Sequence, residues 1–588
     1  MVKIFKRFYQ FNLKYKYAFA AFLAALIVSG VLENLGPYGM KLFIDNATSG
    51  TYDKLAGILL FYVTLKLISG LADALANYLG DWVVIPAARD ARVQIFKYVQ
   101  DLDFAFHVNK NTGSLISAFK RGDGAFFNLF GNLHSEVFKT VVSLVVVLFF
   151  FGRINTDILT MMIGLFVINC LIMGALIRLN MKKRTAFNES EDEISGIITD
   201  NLLNYETVKF FNQEKMEEKR LKYKFLSWTK NIWGFSNSFR IMDVSLGTVS
   251  SLGMLLMLSR ATQMLVAGQI TIGDLVMISS FLSGFYYRFF GLFFQLRNIT
   301  KSFIDLEKYF AILDQKIIVA DPLKPKTIKN IKGQIEFKEV TFAYPGNRSQ
   351  VVENIDLRIE PGDSVAFVGR SGAGKTTIVK LLLRFYDLKK GKILVDGVDI
   401  KSMNKGYLRS IMAVVPQEPV LFNNSIKFNL GYGKEEATME EIKAAAKMAN
   451  LDDFIESLPD GYETHVGERG IKLSGGQKQR LAIARAMLCD PKILIFDEAT
   501  SNLDSESEKL IQDALWRTAK GRTLLIIAHR FSTIRRADKI VVLEHGKIVE
   551  MGKHIELINI VGGVYRKLWM LQAKGKLEKD LGSLTTKG

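Results

Sequence analysis

Residues 369–376 read GRSGAGKT, and they lie between the apolar run SVAFV at 364–368 and a helical run at 378–385. A strand that feeds a glycine-rich turn and then a helix directs backbone N–H groups and the positive end of the helix at one anion. Glycine lets the backbone approach a phosphate that a Cβ would keep away. Lys375 adds a full positive charge, and Thr376 offers a hydroxyl to Mg²⁺. The stretch predicts a phosphate-binding loop in an α/β nucleotide-binding domain.

Five further segments follow this loop in a fixed order. They are Gln417 in VVPQEPVLF, LSGGQ at 473–477, KILIFDE at 492–498, SNLD at 501–504 and LLIIAHR at 524–530. Four apolar residues lead into Asp497, so a buried strand ends with a carboxylate at the edge of the sheet where nucleotides bind. We expect Asp497 to hold Mg²⁺, Glu498 to act as general base on water, and His529 to contact the γ-phosphate.

The LSGGQ segment leads into a helix predicted at 477–487, so Ser474 and the glycines present N–H groups to a second anion. The phosphate loop already serves the nucleotide of its own chain. A second anion-binding helix end is explained if it completes the site of a partner. The sequence therefore predicts two ATP molecules held between two copies of the chain.

The first half of the chain is apolar in long runs. Hydrophobic residues make up 49% of the sequence and the mean hydropathy is +0.15, which is high for a soluble protein. A helix needs roughly 20 apolar residues to cross a bilayer. We predict six spans, at about 17–44, 55–85, 126–151, 158–177, 244–266 and 272–294.

Charge in the connections predicts the orientation of these spans. The links at 86–125 and 178–243 are long and rich in Lys and Arg, whereas the other three are short. The positive-inside rule places both long links, the N-terminus and everything after residue 300 on the inner side. The excess of 77 Lys+Arg over 59 Asp+Glu is thereby explained, so we expect a lipid bilayer as partner and no nucleic acid beyond ATP.

The two long links contain helix-compatible stretches, which predicts that the spans continue inwards as helices. They return through short crossing segments, expected at about 104–113 and 204–212. Prolines at 322 and 325 mark a boundary between the two halves of the chain. The predicted domains are a transmembrane domain at 1–313, a linker at 314–332, an ATP-binding domain at 333–575 and a basic tail at 576–588. Neither of the two cysteines, Cys170 and Cys489, predicts a disulfide or a metal cluster.

Arg288 lies inside the predicted sixth span, sixteen residues from its outer end. At about 1.5 Å per residue it is roughly 24 Å deep. Because intramembrane arginines usually face a water-filled cavity, we predict that Arg288 and Arg184 line a positive cavity for an anionic cargo. The alternative is that Arg288 pairs with Asp243 or another acid, or snorkels.

These motifs resemble the ATP-binding cassette (ABC) transporters, and six spans followed by one cassette resemble a half-size exporter of the type IV, B-subfamily class. The resemblance implies a Walker A loop that binds nucleotide through Gly369, Ser371, Gly372, Gly374, Lys375, Thr376 and Thr377. It implies a signature made by Ser474, Gly475, Gly476 and Gln477, and a D-loop aspartate at Asp504. Asp497 and Glu498 become the Walker B pair, and His529 the switch histidine.

Two further roles follow from the same resemblance. Gln417 becomes the Q-loop residue, which we count among the catalytic groups and, with Thr376 and Asp497, among the Mg²⁺ ligands. Tyr344 in FAYPGN becomes the aromatic that stacks on adenine, whereas the residues alone leave a simple turn aromatic as the alternative.

Within that class, four segments are similar to the mitochondrial half-transporters linked to glutathione-related sulfur export and iron–sulfur cluster assembly. They are LLNYETVKFFNQE at 202–214, GQITIGDLVMI at 268–278, SFIDLEKYFAIL at 302–313 and LFNNSIKFNLGYG at 421–433. Family members hold glutathione with arginines in the fourth span's inner extension, where this chain has Arg178 and Arg184. The sixth-span sequence FYYRFFGLFF at 285–294 departs from the family pattern.

The expected function is ATP-driven export by a homodimer, with ATP hydrolysis coupled to transport of a small, anionic, glutathione- or sulfur-linked molecule. A multidrug or lipid exporter is the alternative, and an ATP-gated channel or regulatory membrane protein is a third reading. The intact residues Glu498 and His529 and the intact LSGGQ segment argue against the third reading. The expected location is a multi-pass position in a mitochondrial-type inner membrane or related organelle, with the plasma membrane as the alternative.

Overall fold

The structure is a computed structural model that describes residues 2–109, 112–347, 349–467, 470, 472–497, 505–527 and 531–571. The chain divides into two compact units. The helical unit comprises Met1–Asp101 and Lys110–Gln315, and the α/β unit comprises Leu102–Asn109 and Lys316–Gly588. The division falls inside a region that the sequence assigned to the transmembrane domain, because the short segment Leu102–Asn109 belongs to the α/β unit.

Long helices make up the helical unit. Its helices, with α5 of the other unit included to keep chain order, are α1 Val2–Asn12, α2 Lys16–Asn34, α3 Gly36–Thr48, α4 Leu55–Asp101, α5 Phe104–Asn109, α6 Thr112–Phe130, α7 Lys139–Ile154, α8 Thr156–Leu203, α9 Tyr205–Phe210, α10 Glu214–Val266 and α11 Ile272–Phe310. A π-helical segment, Gly131–Phe138, joins α6 to α7, and 3₁₀ turns lie at Leu13–Tyr15, Tyr52–Lys54 and Ala311–Asp314.

Five helical segments in the described residues are long and apolar enough to cross a membrane. They are Val2–Thr48, Tyr52–Asp101, Ala118–Ile154, Thr156–Leu203 and Glu214–Val266. The sixth long helix, α11, has 39 residues and so is also long enough, but it is not among these five segments. The count of six spans therefore stays a prediction.

The helices depart from the predicted spans in two ways. The first predicted span is broken at Leu35, because Pro37 near the start of α3 cannot donate to the preceding turn. The helix of the second predicted span, α4, is not interrupted at Pro86 and ends at Asp101. The predicted inward extensions are confirmed, since α4, α8 and α10 have 47, 48 and 53 residues. Short helices also occupy both predicted crossing segments, as α5 and α9.

Polar contacts join the helices of this unit. α8 packs along α10, α2 along α4, and α11 against α3 and α6. Between α8 and α10, Asn180 donates to Ser238 Oγ at 2.8 Å, and Arg260 pairs with Asp157 at 2.6 Å. The bond between the buried residues Asn180 and Ser238 satisfies polar groups that would otherwise be costly among apolar side chains, whereas the Arg260–Asp157 pair is exposed.

The α/β unit contains two sheets. Its strands are β1 Ile335–Phe342, β2 Val352–Ile359, β3 Ser364–Val368, β4 Lys390–Val395, β5 Val398–Asp399, β6 Met412–Val415, β7 Ile493–Asp497, β8 Thr523–Ile527, β9 Lys539–Glu544 and β10 Lys547–Gly552. The first sheet has the order β2-β1-β4-β5 and is antiparallel, and the second has the order β10-β9-β3-β8-β7-β6. In the second sheet β9, β3, β8, β7 and β6 are parallel.

Helices surround these sheets. They are α12 Lys375–Leu382, α13 Lys405–Ser410, α14 Ile426–Gly431, α15 Met439–Met448, α16 Asp452–Glu456, α17 Gly475–Leu488, α18 Ser505–Ala519, α19 Phe531–Ile534 and α20 His554–Ile558, with 3₁₀ turns at Ile400–Ser402 and Gly461–Glu463. All five residues of β3 are buried, as are those of β8. Continuous apolar strands of this kind are typical of a parallel sheet covered on both faces. The predicted strand at 364–368 is thus confirmed residue for residue.

Candidate functional site

The phosphate loop connects β3 to α12, as the sequence predicts. Gly374 is the N-cap of α12 and has a φ of 102°, in the region that favours glycine. A Cβ on Gly374 would lie 2.9 Å from the carbonyl oxygen of Val351, and one on Gly369 would lie 2.3 Å from that of Leu543. Both glycines are therefore required by the local geometry, and the loop backbone stays open to a phosphate.

The two polar residues that follow this turn take different positions. Lys375 is buried, and its Nζ donates to the carbonyl oxygens of Gly369 and Arg370 at 2.8 and 3.1 Å. The ammonium group is thus held at the mouth of the loop. Thr376 is exposed at the start of α12, as are Ser371 and Gly372, whereas Thr377 is buried. An anion and its metal can therefore reach Ser371, Gly372 and Thr376.

Asp497 ends β7 at the carboxyl edge of the second sheet. Strand β8 lies between β3 and β7, so the carboxylate is two strands from the phosphate loop and not directly beside it. Parallel strands share the edge at which they end, and neighbouring strands are about 4.8 Å apart. Asp497 and the loop therefore face the same crevice, where nucleotides bind in this class of sheet.

Gln417 follows β6, the neighbour of β7, and its side chain is exposed. Gln479 on α17 donates to the carbonyl oxygen of the preceding Pro416 at 3.0 Å. This bond links the segment of Gln417 to the helix that begins at the signature. The hydroxyl of Thr376, the amide of Gln417 and the carboxylate of Asp497 supply hard oxygen donors, which suit Mg²⁺.

The LSGGQ segment starts a helix two residues before the predicted position. Ser474 is the N-cap of α17, its Oγ accepts from Gln477 N at 3.3 Å, and Gln477 Oε1 accepts from Ser474 N at 2.8 Å. This capping box fixes the first turn, while Ser474 and Gly475 are exposed and Gly476 is buried. Gln477 N already donates to Ser474 Oγ, so the N–H groups of Gly475 and Gly476 are the donors that the sequence predicts for an anion.

Tyr344 packs edge-on against Phe342 and Tyr386, with ring centroids 5.1 and 5.2 Å away. Its hydroxyl shares a hydrogen bond of 3.0 Å with Thr377 Oγ1 on the helix of the phosphate loop. The tyrosine is therefore fixed beside the loop, and its role in stacking on adenine stays a prediction. Three predicted site residues, Glu498, Asp504 and His529, lie outside the described residues.

A cavity of about 400 Å³ lies in the helical unit around Arg184. It is lined by charged side chains from α6, α8 and α11, namely Arg121, Arg184, Glu191, Asp192, Lys301, Asp305 and Lys308. The sequence prediction found Arg184 and missed the others. Their signal was available, because Lys301, Asp305 and Lys308 follow one another at helical spacing on one face of α11.

Arg288 lies at a second, smaller cavity of about 170 Å³ and pairs there with Glu33 on α2. The structure therefore shows the alternative, in which Arg288 pairs with an acid. The acid is Glu33 and not the Asp243 that the sequence suggested. Glu33 lies on α2, far from Arg288 in the sequence, and contacts its guanidinium. In the single chain Arg288 and Arg184 line two different cavities, and a cavity shared by both in the dimer stays a prediction.

Comparison with known proteins covers both halves of the chain. A family described as "ABC transporter transmembrane region" matches residues 19–289, and one described as "ABC transporter" matches residues 352–501. A solved structure described as a bacterial Atm1-family ABC exporter with ATP bound aligns with a TM-score of 0.84 and 33% identity. The alignment covers 95% of this chain and 98% of that one.

Curated relatives agree with these matches. ABC transporter B family member 6 of Dictyostelium discoideum is 37% identical over 540 residues, covering 88% of this chain and 78% of the relative. Heavy metal tolerance factor 1 of Caenorhabditis elegans is 34% identical, with 95% and 71% covered. ATP-binding cassette sub-family B member 6 of Xenopus tropicalis is 33% identical across 92% of this chain, which spans only 64% of that relative's length.

Proposed function

This chain belongs to the ABC transporter family, whose ATP-binding domain implies ATP hydrolysis coupled to transport, and we propose that it exports a small anionic molecule of the glutathione- or sulfur-linked kind. It works as a homodimer with two ATP molecules held between two cassettes. Thr376, Gln417 and Asp497 would hold Mg²⁺, which would supply positive charge against the phosphates. Glu498 polarises the attacking water, and His529 contacts the γ-phosphate.

The cavity at Arg184 is the observation that carries the cargo assignment. Its cations are Arg121, Arg184, Lys301 and Lys308, and its acids are Glu191, Asp192 and Asp305. The lining therefore has one more positive charge than negative charges, and it presents charges of both signs to a cargo. A molecule with carboxylates and an ammonium group, such as a glutathione derivative, matches such a lining. A volume of about 400 Å³ is within the range for small-molecule sites.

The same lining disfavours the multidrug or lipid alternative. Hydrophobic cargo is held mainly by apolar walls, whereas this cavity presents seven charged side chains beside four apolar ones, Ile177, Met181, Leu296 and Ile304. Of the aromatic residues around Arg288, Phe289 is buried in the helix core with its ring 5.8 Å from that of Phe166. That ring therefore packs the bundle.

The location follows from the same resemblance. The long apolar helices support a multi-pass membrane position. The four sequence segments similar to mitochondrial half-transporters support a mitochondrial-type inner membrane or a related organelle. Transport of a thiol-derived anion fits a role linked to iron–sulfur cluster assembly. A plasma-membrane location is the alternative, and fluorescence microscopy of the tagged full-length chain distinguishes the two.

Stimulation of ATP hydrolysis tests the cargo assignment. In lipid nanodiscs we expect glutathione, glutathione disulfide and S-methylglutathione to stimulate ATPase, and ester derivatives that lack free carboxylates not to do so. Because Arg184→Gln removes a charge-assisted contact, it is expected to raise the half-stimulating concentration at least about tenfold. Lys182→Gln, an exposed neighbour outside the cavity, is the control. Stimulation by neutral drugs alone would favour the multidrug alternative.

A further inference from the structure

Five charged side chains lie at similar depth within the helical unit. They are Glu33 on α2, Lys66 and Asp73 on α4, Lys139 on α7 and Arg288 on α11. Each is between 11 and 18 residues from the outer end of its helical segment. At about 1.5 Å per residue this is roughly 17–27 Å inside that end, within a hydrocarbon core of about 30 Å.

Four of these charges neutralise one another. Glu33 contacts the guanidinium of Arg288 and lies 3.1 Å from Lys139 Nζ. Lys139 Nζ is also 2.6 Å from Asp73 Oδ1, and the same oxygen accepts from Ser29 Oγ at 3.1 Å. Two acids and two cations from four helices thus form one closed network. Closed pairing of this kind is what makes charges tolerable inside a membrane.

Lys66 is the fifth charge and stands outside the network. Within the described part of the chain it has no ion pair or hydrogen bond. Its Nζ lies beside Gly36, where an added Cβ would be only 3.1 Å away. Lys66 and Arg288 line the same cavity of about 170 Å³, together with the paired acid Glu33 and the polar side chains of Asn34, Thr140, Ser143 and Ser280.

Lys66 is an exposed residue, so its ammonium group is accessible to an anion that enters the cavity. Such an anion would stabilise it, because an unpaired charge is costly at such depth. The acids nearby are already engaged, since Glu33 has two cationic partners and Asp73 has Lys139. The cavity volume is too small for a whole peptide-sized cargo, but it has room for one carboxylate and a few waters, which take about 30 Å³ each. The hydroxyl groups of Thr140 and Ser280 already donate to backbone carbonyl oxygens of their own helices. The hydroxyl of Ser143 accepts from Asn34 Nδ2 at 2.6 Å and keeps its own proton for such an anion.

We propose that this cavity is a subsite for a carboxylate group of the transported molecule, with Lys66 as its charged contact. The identity of the cargo rests on the proposed function, whereas the existence of the subsite rests on the network and the cavity alone. The subsite is separate from the Arg184 cavity, with which it shares no lining residue. A cargo with several carboxylates therefore meets a cationic side chain at each of two positions in the helical unit.

Charge-selective labelling tests the subsite without knowledge of the cargo. Ser280→Cys places a thiol on the cavity wall of a chain in which Cys170 and Cys489 are replaced by serine. In nanodiscs, an anionic and a cationic methanethiosulfonate of similar size are each allowed to react with it. A nearby positive charge accelerates the anionic reagent relative to the cationic one, by about 5- to 10-fold for a unit charge at about 7 Å in a largely aqueous cavity.

We expect the ratio of anionic to cationic labelling rates to fall about 5- to 10-fold when Lys66→Gln is added to Ser280→Cys. Lys54→Gln, in the outer 3₁₀ turn, is the matched control and is expected to leave the ratio unchanged. S-methylglutathione, which has no free thiol, should slow labelling with Lys66 present and lose this effect with Lys66→Gln.

Two results would overturn the subsite. One is a rate ratio that does not respond to Lys66→Gln, and the other is that neither reagent reaches the thiol introduced by Ser280→Cys. If the ratio responds but S-methylglutathione gives no protection, the subsite stands and the glutathione-type cargo is contradicted. If Arg184→Gln impairs stimulation while Lys66→Gln alters neither labelling nor stimulation, the proposed function stands and the subsite fails.

Discussion

The ring of Phe104 stacks face to face on the ring of Phe385, with centroids 4.5 Å apart and planes 7° apart. Lys380 Nζ lies 5.7 Å from the centre of the Phe104 ring, and the guanidinium of Arg409 lies 4.8 Å from that of Phe385. Phe104 opens α5, the short crossing segment that belongs to the α/β unit although α4 and α6 belong to the helical unit. The stacked pair thus holds α5, which continues along the chain into α4 and α6, against Phe385 of its own unit.

Phe104→Ala is expected to uncouple transport from hydrolysis. An aromatic pair contributes about 0.5–1.5 kcal/mol beyond its buried area, so α5 loses part of its attachment while the ATP site is untouched. We expect basal ATPase near the wild-type rate and at least a twofold loss of stimulation by glutathione derivatives. Val108→Ala, whose side chain is 62% exposed on the same helix, is the control. Full stimulation in Phe104→Ala would show that the stacked pair does not transmit the signal.

Asp103 is expected to be a stability residue of the α/β unit. Its carboxylate is buried and accepts from the backbone N–H groups of Ile318 at 2.6 Å and Val319 at 3.1 Å. Asp103→Ala leaves two backbone donors without this acceptor, at a cost of about 1–3 kcal/mol for each fully buried group. Thermal unfolding of the purified Asp103→Ala protein should have a lower midpoint than that of the wild type. The midpoint of Asp103→Asn, which keeps one acceptor oxygen, should lie between those of the wild type and Asp103→Ala. An unchanged midpoint in Asp103→Ala would mean that water replaces the carboxylate.

Most of what could be predicted about the nucleotide site came from the order of its motifs along the chain. Phosphate binding demands glycines at 369 and 374 and a cation at 375, so residue identity alone shows the chemistry there. The partner of Arg288 could not be predicted in this way. Glu33 and Lys139 are charged residues inside apolar helices, which signals a polar cluster but does not say which charges meet. Pairing across α2, α7 and α11 depends on how the helices pack, which no local pattern encodes.

Domain membership was harder still to predict. Residues 102–109 lie between two long helices of the helical unit along the chain, yet they pack with Phe385 and Tyr386 of the α/β unit. Hydropathy and charge predicted the crossing segment, since it is short and lies in a long basic link. They could not predict its partners, because two aromatic rings far apart in sequence carry no sign of their contact.

Cys489 is expected to react slowly with thiol reagents at neutral pH. Its thiol donates to the carbonyl oxygen of Gly433 at 2.9 Å, and burial raises its pKa above the ordinary value. A raised pKa lowers the fraction of reactive thiolate at any given pH. Iodoacetamide labelling of Cys489 in a Cys170→Ser chain should therefore be slower than that of an exposed cysteine at pH 8 and accelerate as the pH rises beyond 9. Equal rates at pH 8 would contradict the partly buried position of Cys489.

The predicted sandwich of two ATP molecules implies that the phosphate loop of one chain meets the signature of the other. Ser371 and Ser474 are both exposed, so cysteines at these positions do not disturb a core. When one chain carries Ser371→Cys and the other Ser474→Cys, Mg-ATP and a mild oxidant should give a crosslinked species of twice the chain mass. Lys375→Ala should suppress it by weakening ATP binding. A single chain that carries both Ser371→Cys and Ser474→Cys is the second sample. If its disulfide forms only within the chain and not with the partner copy, the sandwich is contradicted.

ATP-dependent accumulation of a glutathione-type anion in sealed vesicles tests the central claim most directly. In proteoliposomes whose cassettes face outwards, the wild-type chain is expected to concentrate labelled glutathione disulfide when Mg-ATP is added. Glu498→Gln keeps the shape of the proposed general base and removes its charge, so it should bind ATP but lose at least about 10²-fold in hydrolysis and with it the accumulation. Vesicles that hydrolyse ATP normally yet never accumulate the anion, or a Glu498→Gln chain that transports like the wild type, would contradict the account.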